Sequence, residues 1–192
     1  MRINQQIFWT VLGGVSIIFH IWLIFSGLIP NLVSRPLHMA LALPWCFMYG
    51  RQGRSLKLGT LLTAAGIFCC AYIVFNQELL SEQYGYISSM WQTGVAILLL
   101  TIVLEMARRS IGWPLPSVAL IALCYGLFGQ YFPGEFGHPG LPLNSFLGTM
   151  TIAEGGIWGK LTGVSVNVVA IFVIFGAVLN AGEAGQGFMN LA

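Results

Sequence analysis

The sequence predicts an all-α integral membrane protein with about six transmembrane helices and one amphipathic helix in the interface plane. Of its 192 residues, 57% are hydrophobic and only 7% are charged, which leaves too few polar side chains to cover a water-soluble domain. Apolar runs recur along the chain, and the last, residues 162–181, is uncharged and about as long as a bilayer is thick. The chain can hold five or six such crossings but no sizeable soluble domain besides.

Six apolar runs are candidate spans: residues 7–29, 36–50, 58–75, 90–106, 113–132 and 162–181. The first is too long for the core of a secretory signal peptide, and no small-residue cleavage site follows it, so we predict a retained helix. The second is the shortest, since a helix of its length reaches only about 22 Å, and Pro44 is expected to interrupt it. A re-entrant segment and a tilted crossing are the two interpretations of this run.

Basic residues predict how these runs are threaded, because loops that stay in the cytoplasm carry the excess of lysine and arginine. Three basic positions are predicted to lie inside: Arg2, the cluster Arg51, Arg54 and Lys57, and the pair Arg108 and Arg109. Placing the first two on the same side requires an even number of crossings between them, so the short second run is predicted to span. Residues 76–89 and 133–160 then lie outside, where Arg35 and Lys160 depart from the rule.

The predicted outer segment has an organisation of its own. Residues 133–144 are rich in turn formers that cannot continue a helix. After them, apolar residues recur at spacings of three and four: Phe146, Met150, Ala153, Ile157 and Leu161, with Trp158 alongside. A helix with such a stripe is expected to lie in the interface plane, and Gly155 and Gly156 are expected to break it before the last crossing. Beyond that crossing, an apolar element is expected to begin within residues 182–192.

Three histidines and four cysteines are the residues that could ligate a haem or a metal: His20, His38, His138, Cys46, Cys69, Cys70 and Cys124. A haem between helices needs histidines at matching depth. We expect His20 in the outer half of the first helix, His38 at the outer end of the second and His138 in a loop. The cysteines have neither zinc nor redox spacing and are expected to pack as small apolar residues. The sequence therefore predicts no metal and no cofactor, and helix-to-helix hydrogen bonds for His20 and His38.

Three acids have roles that the sequence leaves open. Glu105 precedes Arg108 and Arg109 by about one helical turn, which predicts an ion pair at the inner interface, with a functional intramembrane acid as the alternative. Glu154 is expected on the solvated side of the interfacial helix, and Glu183 in a water-facing loop after the last span. The sequence has no paired carboxylates, no nucleophilic triad and no phosphate-binding glycine loop. It therefore predicts no catalytic residue and no enzyme.

Three stretches of the chain resemble the fused membrane component of tripartite ATP-independent periplasmic (TRAP) transporters. They are RPLHMALALPWCFMYG (35–50), LEMARRSIGWPLPSVALIALCYGLFGQYFPGEFGHPG (104–140) and GVSVNVVAIFVIFGAVLNAGEAGQGFMNLA (163–192). The resemblance is to fusions that work with a TAXI-class binding protein, and its most specific part is residues 175–179 with the glycine-rich turn after them. The chain departs from the family pattern at Asn180 and at Gly182 or Glu183, where an acid and a serine are common.

The resemblance implies a domain organisation and a function. Residues 1–109 would form a four-helix small membrane domain, 110–132 a connector helix and 133–192 the start of a large transport domain. The substrate site and the site for the coupling cation, Na⁺ or H⁺, would lie downstream. The chain would be the scaffold of a secondary transporter in the bacterial inner membrane that imports a small organic acid. A periplasmic binding protein would deliver this acid to residues 76–89 and 133–144.

Two other classes of protein stay open from the sequence alone. One is a small membrane assembly protein with no role in transport, and the other is a membrane redox or enzyme subunit. No nucleic-acid partner is predicted.

Overall fold

The structure is a computed structural model and describes residues 3–182. In chain order, its helices are α1 (Ile3–Phe25), α2 (Asn31–Phe47), α3 (Gly53–Phe75), α4 (Gln77–Glu82), α5 (Met90–Ile111), α6 (Pro114–Phe128), α7 (Leu143–Thr151), α8 (Lys160–Val164) and α9 (Ala170–Ala181). A π-helical segment, Ser165–Val169, joins α8 to α9. Short 3-10 turns occupy Gly129–Tyr131 and Gly134–Phe136. Residues 3–182 contain no strand, and the predicted all-α class is confirmed.

Five helical segments are long and apolar enough to cross a membrane: Gln5–Phe25, Gly53–Phe75, Met90–Ile111, Pro114–Tyr131 and Lys160–Ala181. They correspond to five of the six predicted runs. Most of their surface faces outwards, and large apolar side chains such as Ile18, Leu61 and Phe172 are exposed on it, as expected for helices surrounded by lipid. The prediction of a multi-pass membrane protein is confirmed.

The second predicted run forms α2, which is shorter than these five helices. It begins at Asn31 rather than at Pro36, and it continues through both Pro36 and Pro44. The prediction that Pro44 interrupts this run was wrong. Both prolines are buried against neighbouring helices, and such packing tolerates the hydrogen bond that each proline removes from a membrane helix.

α2 lies antiparallel to α1 along most of its length. Near one end, the rings of Trp9 and Trp45 have centroids 4.9 Å apart. Towards the other end, the rings of His20 and His38 are hydrogen-bonded at 2.8 Å. A helix of 17 residues is about 25 Å long, so α2 extends over most of the depth of its longer neighbours. These contacts favour a crossing over a re-entrant segment.

The basic residues gather at one end of the helix bundle, which we call the basic rim. Arg109, at the end of α5, lies over the ring of Phe47, at the end of α2, with the guanidinium carbon 5.1 Å from the ring centroid. The basic cluster of residues 51–57 follows α2 directly. Two of the three basic positions therefore share one rim, as the threading predicted, and Arg2 lies outside the described residues.

The opposite end of the bundle, which we call the loop rim, is formed by residues 76–89 and 133–159. The two segments are in contact, since the backbone N–H of Ile87 donates to the carbonyl oxygen of Asn144 at 3.3 Å. Gly148 in α7 lies directly against the backbone of Gly85, where a Cβ atom would overlap the Gly85 carbonyl group. The loop rim is thus a packed layer.

The predicted interfacial helix is shorter than its apolar stripe indicated. α7 ends at Thr151, and turns follow it, so Ile157 and Leu161 do not continue its apolar face. The chain folds back at Gly156, which lies so close to the backbone of Met150 that no side chain would fit. The prediction of one helical stripe from Phe146 to Leu161 was wrong, because periodicity of three and four does not reveal where a helix stops.

The same segment is also more buried than an interfacial helix would be. Phe146 and Leu147 are both about 5% exposed and belong to the core that α2, α3 and α5 form. Trp158 is fully buried, and its indole N–H donates to the carbonyl oxygen of Thr151 at 2.8 Å. α7 and the turn after it therefore close the core at the loop rim.

Orientation in the membrane can be tested with single cysteines in a background that lacks the four native ones. We expect an impermeant thiol reagent, added to intact cells, to label Glu82→Cys at the loop rim and to leave Arg54→Cys at the basic rim unlabelled. The reason is that the basic rim is retained on the cytoplasmic side. Both positions are exposed, so permeabilised cells should label equally at both. Labelling of Arg54→Cys alone in intact cells would invert the orientation.

Candidate functional site

A polar stripe lies on the part of α2 that is nearest the loop rim. Asn31, Arg35 and His38 are four and three residues apart, so they share one face of the helix. This face meets residues 154–165, which form the turn before α8 and the start of the last span. All three side chains thereby bind a segment more than 120 positions away in the sequence. We call this contact the α2 junction.

Arg35 occupies the middle of the α2 junction. Its Nη1 atom donates to the carbonyl oxygen of Trp158 and, at 3.2 Å, to that of Gly159. Gly163 lies against the guanidinium group, where a Cβ atom would come within 3.0 Å of Nη2. The backbone carbonyls that Arg35 binds belong to the turn before α8. Arg35 therefore holds α2 against the turn before α8 at the loop rim.

Asn31 and Glu154 form the exposed edge of the α2 junction. The side-chain amide of Asn31 donates to the Glu154 carboxylate at 2.8 Å. Glu154 lies in a turn rather than on the polar side of a helix, because α7 ends before it. The carboxylate is exposed as predicted, but it also contacts α2. Glu183, the other acid whose role was left open near the last span, lies outside the described residues.

A string of hydrogen bonds runs from α1 through α2 to the last span. Nδ1 of His20 lies 2.7 Å from the carbonyl oxygen of Ser16, and Nε2 of His20 lies 2.8 Å from Nδ1 of His38. Nε2 of His38 lies 3.2 Å from the hydroxyl oxygen of Ser165. The predicted helix-to-helix hydrogen bonding of His20 and His38 is confirmed.

The expectation that His20 and His38 lie at different depths was wrong. Because α2 begins at Asn31, His38 lies about two turns inside the helix, roughly 10 Å from its start. His20 lies roughly 8 Å from the end of α1. The two rings are therefore level, roughly 8 to 10 Å from the ends of α1 and α2 at the loop rim.

Ser165 is the first residue of the π-helical segment in the last span. A π-helical turn inserts an additional residue into a helix, and such turns are found frequently at functional sites. Val166, the next residue, is buried, so the segment is packed against the bundle at this point. The winding of the last span thus changes where it meets α1 and α2.

The sequence did not predict that Asn31, Arg35 and Ser165 belong to one site. For the first two, a signal existed, since residues 31, 35 and 38 mark one polar face once the helix is extended past Pro36. Nothing local identified Ser165, because a single serine in an apolar span has no periodic partner. Its role depends on a contact across 127 positions.

Glu105 belongs to a separate ion cluster at the basic rim. Its carboxylate accepts from Nε and Nη2 of Arg108, at 2.6 and 2.7 Å, and from Nε of Arg109 at 2.7 Å. Arg108 also lies over the ring of Trp113, 5.3 Å from its centroid. The predicted ion pair is confirmed, and the single carboxylate of Glu105 binds both Arg108 and Arg109.

His138 lies in the loop rim, as predicted, and has a local role. Its Nε2 atom is 3.1 Å from the carbonyl oxygen of Tyr125, and the Tyr125 hydroxyl donates to the carbonyl oxygen of Phe136 at 2.7 Å. The imidazole covers Gly129, where any Cβ atom would overlap the ring. These contacts hold residues 129–138 against the end of α6.

The four cysteines are all free thiols. Cys69 and Cys70 are buried in the core, which agrees with the small apolar packing predicted for them, and Cys124 is exposed on α6. Cys46 contacts the hydroxyl of Ser110 at 3.3 Å. Within residues 3–182, no three histidine, cysteine or acidic side chains lie close enough together to hold a metal ion.

Comparison with known families gives a match over part of the chain. Residues 98–192 match the family model described as Tripartite ATP-independent periplasmic transporter, DctM component. The match covers just under half of the chain and includes α6 to α9 with Ser165, whereas Asn31, Arg35 and His38 lie before it. No curated protein and no solved structure matches the chain.

Proposed function

We propose that this chain is the scaffold portion of the membrane component of a TRAP transporter in the bacterial inner membrane. The observation that carries the proposal is the family match over residues 98–192. In this proposal the transporter is of the fused TAXI type, with residues 1–109 as the small domain, 110–132 as the connector and 133–192 as the start of the large domain. It imports a small organic acid with a cation, Na⁺ or H⁺.

The contacts between the two parts of the chain support a rigid scaffold. α2 precedes the matched region, and it is bound to residues 154–165 within that region by the α2 junction. α7 packs on α5 and on the backbone of Gly85. In alternating access, one element moves against another that stays fixed. A fixed element requires contacts that hold its distant segments together. The hydrogen bonds of the α2 junction do this, since they join residues that are 123 to 127 positions apart in the sequence.

The loop rim supplies a surface on which a periplasmic binding protein would dock. Residues 76–89 and 133–144 are adjacent there, joined by the hydrogen bond from Ile87 to Asn144. Three large aromatic side chains on these segments and beside them are 74% to 94% exposed: Tyr84, Tyr131 and Phe136. Aromatic residues are enriched at protein interfaces. Tyr84 also has a positive φ of 50° and lies in the turn after α4.

The proposed function is tested by uptake of labelled organic acids into proteoliposomes. The proteoliposomes contain the protein that the complete gene encodes. Uptake is measured with a Na⁺ gradient or a proton gradient, and with or without the cognate binding protein. We expect uptake that requires both the gradient and the binding protein. Absence of uptake under either gradient would contradict the proposal, and a haem absorption band in the purified protein would favour a redox subunit instead.

The docking surface is tested in the same assay at limiting binding protein. We expect Tyr84→Ala to reduce uptake several-fold and Tyr84→Phe to restore it, because the ring supplies the contact area. Tyr49→Ala is the control, since Tyr49 is also an exposed tyrosine but lies at the basic rim. Equal effects at positions 84 and 49 would show that the docking surface is elsewhere.

Glu105→Gln is expected to lower the melting temperature by only a few degrees and to leave uptake nearly intact. Partly exposed ion pairs contribute roughly 0 to 1 kcal/mol, and the Glu105 side chain is 22% exposed. Thermal unfolding and uptake are measured together, with Arg54→Gln, an exposed charge at the basic rim, as the control. Complete loss of uptake by a stable Glu105→Gln protein would identify Glu105 as a functional acid.

A further inference from the structure

The hydrogen-bond string determines which ring nitrogen carries a proton when both histidines are neutral. The carbonyl oxygen of Ser16 can only accept, so Nδ1 of His20 is the donor. Nε2 of a neutral His20 is then an acceptor, and Nδ1 of His38 must donate to it. Nε2 of His38 accepts in turn from the hydroxyl of Ser165. When both histidines are neutral, only one placement of the protons therefore gives every donor and acceptor in the string a partner.

One added proton leaves all three contacts in place. When it binds Nε2 of His38, the hydroxyl of Ser165 rotates from donor to acceptor, and His38 donates from both nitrogens. The bond between the rings then joins an imidazolium to an imidazole, and hydrogen bonds with a charged donor are the stronger ones. Transfer of the proton from Nδ1 of His38 to Nε2 of His20 gives an equally bonded arrangement, so the two rings share one charge.

A second added proton breaks the string. His20 and His38 would then each direct an N–H at the other across 2.8 Å. Two cations would also be in contact in a region of low dielectric constant, where like charges repel strongly. The geometry therefore makes binding of the second proton much less favourable than binding of the first.

The charged groups on the surrounding elements further disfavour the second protonation relative to the first. Residues 5–25 of α1, residues 170–181 of α9 and the π-helical segment contain no acidic residue, lysine or arginine. Arg35 lies one turn from His38 on α2, and Lys160 begins α8. The Glu154 carboxylate lies at the exposed edge of the α2 junction, where it binds Asn31, two turns from His38. The charged residues of α3 and α5 lie at the basic rim: Arg54, Lys57, Glu105, Arg108 and Arg109. Among the described residues, the hydrogen-bond partners of the two rings are Ser16, Ser165 and each other, so no carboxylate is bound to either ring to offset a second charge.

We propose that His20, His38 and Ser165 form a one-proton binding site at the junction of α1, α2 and the last span. Two elements before the family match supply the rings, and the π-helical segment within the match supplies the hydroxyl. Proton binding strengthens the contact between His38 and Ser165, because it makes the donor cationic. The site therefore joins the two parts of the chain more tightly when it is occupied.

The proposal is tested by ¹⁵N NMR of the histidine-labelled protein in lipid nanodiscs as the pH is lowered. We expect a scalar coupling between His20 and His38 across their N–H···N bond, which persists after the first protonation. The pair should take up protons in two steps more than about one pH unit apart. His138, whose Nε2 lies against the carbonyl oxygen of Tyr125, should show no coupling to another ring and serves as the internal reference.

Three substitutions make the test specific for the site. Ser165→Ala removes the acceptor for the protonated His38, so we expect the first step to weaken by about tenfold, as for loss of a hydrogen bond to a charged group. Ser165→Thr should restore it. Ser16→Ala is the matched control, because the Ser16 hydroxyl binds the carbonyl oxygen of Leu12 and the Ser16 carbonyl group is retained. Independent titration of the two rings without coupling, or equal effects of the two alanine substitutions, would overturn the proposal.

Discussion

Arg35→Met is expected to release the turn before α8 from α2 and to lower the free energy of unfolding by about 2 to 4 kcal/mol. Methionine retains the apolar stem of arginine but donates no hydrogen bond. The carbonyl oxygens of Trp158 and Gly159 would therefore lose their charged donor. Hydrogen bonds to charged groups contribute about 1.5 to 3 kcal/mol each, and groups buried without a partner cost more in a membrane than in water.

Thermal unfolding in nanodiscs measures this effect. Arg35→Lys should be intermediate, because an ammonium group can donate to these carbonyls but lacks the planar fork of arginine. Arg54→Met is the control, since Arg54 is exposed at the basic rim and should change the melting temperature little. If the Arg35→Met protein were as stable as the Arg54→Met protein, Arg35 would not hold the turn before α8 against α2.

Gly59→Ala is expected to force α2 and α3 apart and to cost about 1 to 3 kcal/mol. Four small residues of α3 lie on one face at spacings of four, three and four: Gly59, Thr63, Gly66 and Cys70. Small residues let membrane helices approach closely. A Cβ atom at Gly59 would overlap the backbone carbonyl of Phe47, and backbone cannot rotate away as a side chain can. The loss outweighs the helix propensity that alanine gains.

Gly94→Ala is the matched control, because Gly94 lies in a membrane helix with no atom within 4 Å of its Cβ position. It should be neutral or slightly stabilising. Gly66→Ala should lie between the two, since the contact at 2.6 Å is with the flexible side chain of Leu43. Melting temperatures of the three variants test this order. Equal stability of the Gly59 and Gly94 variants would mean that α2 and α3 can separate without cost.

Local features of the sequence predicted the class of the protein and the contacts within single helices. Hydropathy alone identified the long membrane-spanning helices, because a span must satisfy its backbone hydrogen bonds internally and must be apolar over a bilayer's thickness. The ion pair of Glu105 with Arg108 and Arg109 was predicted because its partners lie one turn away. Nothing beyond one helix was needed for these predictions.

Only the tertiary structure decided which residues form the α2 junction and the hydrogen-bond string through His20, His38 and Ser165. His38 and Ser165 are 127 positions apart, and no period of three, four or seven residues links them. The depth of His38 depended on the start of α2, which the buried Pro36 concealed, because proline ends most helices but is tolerated where neighbouring helices enclose it. The stop of α7 at Thr151 was likewise set by a fold-back at Gly156 against Met150. Such contacts depend on how helices pack against one another, whereas sequence periodicity reports only which face of each helix is apolar.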